Sequence, residues 1–443
     1  MAKKAEVDRA VFFAILARGW GFVVGPISAL LIATRFTPEI QGYYYSFASL
    51  LALQTFAELS LSVVIVQFAS HEWSNLELNK KGFIVGKTDS FSRLVSLAHI
   101  ATKWYITASI LLVLLLGIGG YIFFSHSPNV TVDWKMPWLI LCVITGLHLC
   151  VLPFLSLLEG CNQVSKTYYF RLIFAIGASL SAWIAILSGA GLWTAPISSL
   201  VSLICIGTLI LKNYCPFFKS LFFSHPVGPR MKWSSDIFPL QWRVALSRIG
   251  GYFQGSLFTP ILFHYHGPVI AGQMGMAWGL VAALENFISA WLAPKIPLFG
   301  IFVARRDYSS LNRLFWRLMT ITLGLACLTA MMIWGLVYIL YEYGFSIATR
   351  VLPPLPLALF LLATVIAAIA FPMSLYMRAH KQEPLLFLSV LAGALSCLST
   401  VILGKYFSAM GVGAGYLGVN IVIVPMMVLV WYRFRAAWSP NHK

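Results

Sequence analysis

The sequence predicts an all-α polytopic membrane protein of about twelve transmembrane helices, and three observations predict it. The first is composition. Of 443 residues, 59% are hydrophobic, 15% aromatic and only 10% charged, with a mean hydropathy of +0.83; an ordinary soluble domain carries about a quarter charged residues. The second is spacing. Apolar runs of about 20 residues, the length needed to cross a hydrocarbon layer of about 30 Å, recur from end to end. The third is the distribution of lysine and arginine, which alternates from loop to loop as it does in inserted bundles.

The runs fall at roughly 12–33, 43–66, 104–124, 137–158, 169–188, 194–211, 242–263, 269–293, 318–340, 353–376, 385–403 and 411–432. The basic N-terminal stretch MAKKAEVDRA leads into a full-length apolar run, so it reads as the start of a first helix and not as a cleaved signal. The odd-side loops and both termini hold 23 Lys and Arg, whereas the opposite loops hold 4, namely Arg35, Lys135, Arg350 and Lys405. That asymmetry puts both termini in the cytoplasm and fits an even number of spans. The net charge of +17 would suggest nucleic acid in a soluble protein; here it is an orientation signal, and no nucleic-acid partner is expected. The segment 80–104 reads as a basic amphipathic stretch on the cytoplasmic surface.

The two halves repeat. RGWGFVVG at 18–25 aligns with RIGGYFQG at 248–255, so Arg18, Gly21 and Gly25 match Arg248, Gly251 and Gly255 at an offset of 230. The same offset carries Pro38, Ile40 and Gly42 onto Pro268, Ile270 and Gly272. Later pairs, such as Arg93-Leu94 with Arg313-Leu314, keep an offset near 220. Six spans separate equivalent positions, and six is even, so the halves insert in the same orientation. This is a parallel repeat, and it predicts two six-helix bundles with a binding site between them. The expected division is an N-terminal lobe at 1–211, a cytoplasmic inter-lobe linker at 212–241 and a C-terminal lobe at 242–443.

Ionisable side chains at membrane depth are costly and mark function. Arg18 lies about six residues into the first span from the cytoplasmic side, and Arg248 lies at the equivalent depth of the seventh. Each heads an Arg-x-x-Gly-x-x-x-Gly pattern, whose spacing puts the arginine and both glycines on one helix face. A glycine face either packs closely or leaves space. A guanidinium is always charged and forks onto phosphate oxygens, which suits a pyrophosphate headgroup. Arg18 and Arg248 are therefore the candidate substrate-binding residues. Arg243, at the start of the seventh span, stands with them at the interface. The opposing reading is snorkelling of the arginines to the cytoplasmic surface. Glu58 and Glu285, at similar depth in the second and eighth spans, are candidates for ion pairs with the arginines or for a coupling site for protons or cations. His148, alone within the fourth span, reads as hydrogen-bonded packing.

Several motifs are missing from the sequence. There is no Walker A string, no HExxH and no DxD in an outer loop, and none of the five Asp residues lies within a span. The seven cysteines form no CxxC and no disulfide framework. No catalytic residue, metal site or cofactor is expected.

The run QGYYYSFASLLALQTFAELSLSVVIVQFASHEW at 41–73 resembles the second-span region of bacterial O-antigen flippases. These form the polysaccharide-transport branch of the multidrug/oligosaccharidyl-lipid/polysaccharide exporter superfamily, abbreviated MOP, to which the MATE transporters also belong. The resemblance rests on the Gly-Tyr-Tyr-Tyr start, on Gln54 and Glu58, and on the Gln-Phe-Ala-Ser-His-Glu end at 67–72. One departure is Ser60, where Gly is expected after Glu-Leu. The resemblance implies a MATE-like fold with a V-shaped, cationic central cavity, which Arg18 and Arg248 would supply. It implies a bacterial inner-membrane protein of lipopolysaccharide or related surface-polysaccharide biosynthesis. Such a protein flips an undecaprenyl-pyrophosphate-linked oligosaccharide from the cytoplasmic to the periplasmic leaflet by alternating access. It also implies other polysaccharide-assembly membrane proteins as partners and a proton or sodium gradient as driving force. The main competitor is a cation-coupled multidrug antiporter of the same superfamily. A pump for cationic drugs calls for acidic cavity residues, whereas two equivalently placed arginines favour an anionic substrate. A membrane enzyme acting on lipid-linked sugars would need carboxylates gathered at an outer face; Glu39, Asp133 and Glu342 are isolated there.

Overall fold

The computed structural model describes every residue except Met1, 127–131, Pro226, 381–383 and 439–443. Side chains are also not described at 2–8, 10, 11, 240, 243, 247, 437 and 438. Of the residues singled out above, the side chain of Arg243 lies outside the described set.

The protein is a multi-pass membrane protein built almost wholly of helix. Among the described residues, nine helices are each long and apolar enough to cross a membrane, and a tenth crossing is bent by 43°. The first span is α1 (Ala2–Arg35). The second is broken into α2 (Pro38–Leu51), α3 (Gln54–Glu58) and α4 (Leu61–Trp73). A small antiparallel hairpin of β1 (Leu76–Leu78) and β2 (Ile84–Gly86) follows. Then come α5 (Thr88–Ser125), α6 (Lys135–Gly160), α7 (Val164–Leu187) and α8 (Thr194–Phe222). The expected seventh span is the pair α9 (Phe238–Phe253) and α10 (Phe258–His266). After it come α11 (Pro268–Leu292), the short α12 (Ile296–Ala304), α13 (Tyr308–Glu342), α14 (Pro354–Ala367), α15 (Ala370–Ala379) and α16 (Leu386–Trp438). α16 holds two spans. The chain reverses at Ser408 (φ 52°, ψ −144°), so that Gly404 packs against Val412, Gly411 against Leu403 and Gly415 against Ser399. With that reversal, every one of the twelve expected runs is accounted for by helix.

The chain divides into two compact units. One is Met1–Phe36 with Leu50–Arg248, and the other is Thr37–Ser49 with Ile249–Lys443. All but the last two residues of α2 are thus built into the second unit, although they precede most of the first in sequence.

Small residues hold the first unit together, as expected where the solvent is as apolar as the side chains and close backbone approach replaces hydrophobic driving force. A Cβ on Gly160 would lie 2.6 Å from that of Ala69, joining α6 to α4. Gly120 leaves room for the buried Trp138 indole, whose Nε1 donates to the Leu116 carbonyl at 3.2 Å. Ser109 Oγ donates to the Gly146 carbonyl at 2.7 Å. His148 Nε2 contacts the Ser199 carbonyl at 2.9 Å, the packing role its isolation suggested. In the second unit an aromatic cluster of Phe258, Trp278, Phe360 and Tyr416 has ring centroids 5.1–6.4 Å apart. Phe315 stacks on Trp431 at 4.6 Å.

Two segments meet on α5 on the cytoplasmic side of the predicted topology. Gly228 N donates to Ser92 Oγ at 3.0 Å, and Met231 N to Ser96 Oγ at 2.9 Å. The polar face of α5's first half, which the sequence presented as a membrane-surface helix, is thus partly taken up by residues 228–231.

Candidate functional site

Arg18 is exposed on α1, and among the described residues nothing beyond the helix's own adjoining backbone comes within 4 Å of a Cβ built on Gly19, Gly21 or Gly25. A different face of α1 is fastened to α7: Trp20 Nε1 donates to Ser179 Oγ at 3.1 Å and Trp183 Nε1 to Ser28 Oγ at 2.9 Å. Of the two roles open to a glycine face, this one leaves space.

The second copy of the motif behaves differently. Arg248 is exposed on α9 and Gly251 has open space around it. Gly255, however, falls in the turn at 254–257 that separates α9 from α10, and its missing Cβ makes room for the Trp278 indole. The expectation of one helical face carrying Arg248 and both glycines is corrected here, because the helix ends before the second glycine.

Neither expected ion pair is formed. Among the described residues the ion pairs are Arg93–Glu72 (2.9 Å), Arg171–Glu159 (2.7 Å) and His71–Glu72 (3.6 Å), and none involves Arg18, Arg248, Glu58 or Glu285. The Glu58 carboxylate instead accepts from Ser62 Oγ, four residues on. It ends α3 at a break where Leu59 (φ 45°) and Ser60 (φ 56°) are both left-handed. The departure noted at Ser60 therefore coincides with a backbone conformation that favours glycine. The buried Tyr105 hydroxyl lies beside Ser62 and is acted on electrostatically by both Glu58 and Arg248.

Glu285 is half-buried on α11. It faces the Tyr416 hydroxyl, which is within hydrogen-bonding reach of Thr364 and Asn420. Each unit thus holds one membrane-depth carboxylate beside a buried tyrosine. The tyrosines had no sequence signal: a single Tyr in an apolar helix looks like any belt or core aromatic.

No protein-family model and no curated protein matches the chain. Solved structures do. The chain is similar to a multidrug resistance MATE family transporter of the MOP superfamily in its inward-facing conformation (TM-score 0.58, 12% identity, covering 95% of this chain and 100% of that one). It is similar to the MATE multidrug transporter DinF-BH (0.59, 12%, 97% and 96%). It is also similar to the lipid II flippase MurJ in an inward closed conformation (0.59, 14%, 95% and 87%). The chain has the MATE-like fold of MOP superfamily transporters. At these identities the likeness is one of fold, and that fold is shared by drug transporters and a lipid flippase alike.

Proposed function

We propose that this protein is a flippase for a polyprenyl-pyrophosphate-linked oligosaccharide, the O-antigen or a related surface-polysaccharide repeat unit. It carries the headgroup from the cytoplasmic to the periplasmic leaflet of a bacterial inner membrane by alternating access, with both termini cytoplasmic. The observation that carries the reading is the pair Arg18 and Arg248. They are repeat-equivalent, fall within the expected first and seventh spans, are exposed beside Gly21 and Gly251, which leave open space, and form no ion pair among the described residues. A permanent charge at that depth is costly without a partner, and an anionic ligand supplies one.

The transport problem matches this arrangement. A diphosphate bearing sugars cannot cross hydrocarbon unaided. Guanidinium groups in a hydrated cleft offer forked hydrogen bonds to its oxygens, while the polyprenyl tail stays in lipid. Arg243, at the start of the same helix as Arg248, adds positive charge on the entry side. The cycle runs on the different affinity of each conformation for the loaded headgroup. Glu58 and Glu285 are the candidate sites through which a proton or sodium gradient drives it.

The test is binding of a polyprenyl-pyrophosphate-oligosaccharide to the protein in nanodiscs, compared with a folded Arg18→Ala/Arg248→Ala variant. Loss of two charge-assisted contacts of about 1.5–3 kcal/mol each weakens binding about a hundredfold or more. Binding indifferent to both arginines overturns the reading, and a cationic dye that binds the wild type tightly would then point to a drug antiporter.

A further inference from the structure

The division of the chain puts an unusual demand on the second span. It crosses from one unit to the other between Ser49 and Leu50, so it cannot move as one rigid rod with either. Its first piece is welded to the second unit. Gln41 Nε2 donates to the carbonyls of Gly272 and Arg350, both at 2.9 Å, the Tyr43 ring meets Phe263 edge-on at 5.0 Å, and a Cβ on Gly42 would collide with the Pro268 carbonyl. Its last piece is welded to the first unit, through Glu72–Arg93 at 2.9 Å and the Ala69–Gly160 contact.

Between these lies α3, five residues with a turn before it at Ala52-Leu53, where Leu53 keeps right-handed helical angles, and the left-handed pair Leu59-Ser60 after it. None of its residues is buried. From outside the span, Trp104 Nε1 donates to the Ala57 carbonyl at 3.2 Å. Trp104 in turn stacks on Trp233 (4.7 Å, 21°), in the segment that leads into α9. α9 carries the next crossing, between Arg248 and Ile249, again a few residues before a turn. Tyr105, adjacent to Trp104, is acted on by both Glu58 and Arg248.

We propose that the second span is a jointed connector. Its middle segment, α3 with Glu58, takes up movement between the two units, and Trp104 is the residue that positions it. Hinges in proteins are a few element-terminal residues that absorb φ/ψ change, and α3 has such residues at both ends. The consequence is that Glu58 rides on the joint, and Trp104 ties the posture of the joint to the stretch 233–248 bearing Arg248. This rests on the flippase reading only in taking the units to move during a cycle.

The test needs no substrate: hydrogen exchange by mass spectrometry on the full chain in nanodiscs. Residues 50–61 should exchange at least tenfold faster than 38–49 and 62–73. Trp104→Phe keeps a ring on Trp233 and removes the donor; it should raise exchange of 50–61 at least threefold, leaving both flanks unchanged. Exchange of 50–61 as slow as its flanks overturns the proposal in the wild type alone, whatever the variants do. A Trp104→Phe effect spread evenly over the first unit overturns the positioning role. Neither result bears on pyrophosphate binding, which the arginine variants test separately.

Discussion

Replacing Ser60 with glycine should stabilise this protein. Ser60 is almost fully buried at 1% exposure and holds φ 56°, ψ 22°. A left-handed conformation costs an L-residue about 1–2 kcal/mol. Its Oγ is also buried without a hydrogen-bond partner, a further cost of about 1–3 kcal/mol. Against these gains, glycine loses about 0.5–1 kcal/mol more backbone entropy on folding. The balance for Ser60→Gly is a gain of about 1–1.5 kcal/mol even if both costs sit at the low end of their ranges. For a unit of this size that is about 2–6 °C in melting temperature, readable by a thermal shift assay on detergent-solubilised protein. Ser60→Ala separates the causes, because it removes the hydroxyl and keeps the strained backbone. It should recover only the polar share. If alanine stabilises as much as glycine, the backbone at this joint is not strained. If glycine is neutral or destabilising, the left-handed break at the end of α3 is not part of the native state.

Four other outcomes follow from single contacts. Arg93→Ala leaves the Glu72 carboxylate, 5% exposed, without its partner; because Arg93 itself is 39% exposed, the cost should be about 1–2 kcal/mol, with a double-mutant cycle against Glu72→Gln reporting the coupling. Gly42→Ala places a Cβ against the Pro268 carbonyl and should cost at least about 1–3 kcal/mol, with increased exchange of 38–49 and 268–276 together. Gly120→Leu should be worse tolerated than Gly117→Leu, because Trp138 fills the space beside Gly120 while Gly117 faces none within 4 Å; expression of folded protein on size-exclusion chromatography checks it. Asp307 caps α13 through Ser310 N and Ser309, and these donors hold its carboxyl down to about 2. A depressed carboxylate contributes its stability above the ordinary value near 4 and loses it as pH falls toward 2. The first turn of α13 should therefore loosen between pH 4 and 2, and Asp307→Asn, still a cap, should remove that acid dependence from its exchange rates.

What the sequence revealed follows from what the bilayer dictates. Twelve apolar runs could be counted because each crossing must satisfy its backbone internally over about 20 residues. The parallel repeat could be found because it kept arginine and glycine in register. The helix breaks were less legible. At 52–53 and 59–60 the residues are Ala, Leu, Leu and Ser, none of which announces a turn, so tertiary packing imposes what local propensity does not. Only the comparison with a sequence expecting glycine at 60 pointed there. The lobe boundary was also less legible, because helices such as α2 and α9 cross between units within a continuous apolar run. The hydroxyl partners of the two carboxylates, Ser62 and Tyr105 on one side and Tyr416 on the other, came together from distant runs that carry no shared motif.

The repeat also shows how far duplication constrains role. Both copies of Arg-x-x-Gly-x-x-x-Gly keep the arginine exposed and the first glycine open. They part at the second glycine, since Gly25 stays on the unbroken α1 with space around it while Gly255 sits in a turn and receives Trp278. A side chain at 255 would displace the indole from a cluster that includes Phe258, Phe360 and Tyr416, so that glycine serves packing. At Gly25 no such demand exists, and alanine there would cost nothing in contacts and would gain helix propensity of about 1 kcal/mol. A glycine kept where alanine is structurally cheaper needs a reason outside the fold. Space beside Arg18 for a ligand bulkier than a methyl group supplies one. Gly25→Leu should accordingly raise stability by up to about 1 kcal/mol while weakening pyrophosphate-lipid binding, whereas Gly255→Leu should fail at folding first. Unimpaired binding in Gly25→Leu would remove the open face of α1 from the substrate path.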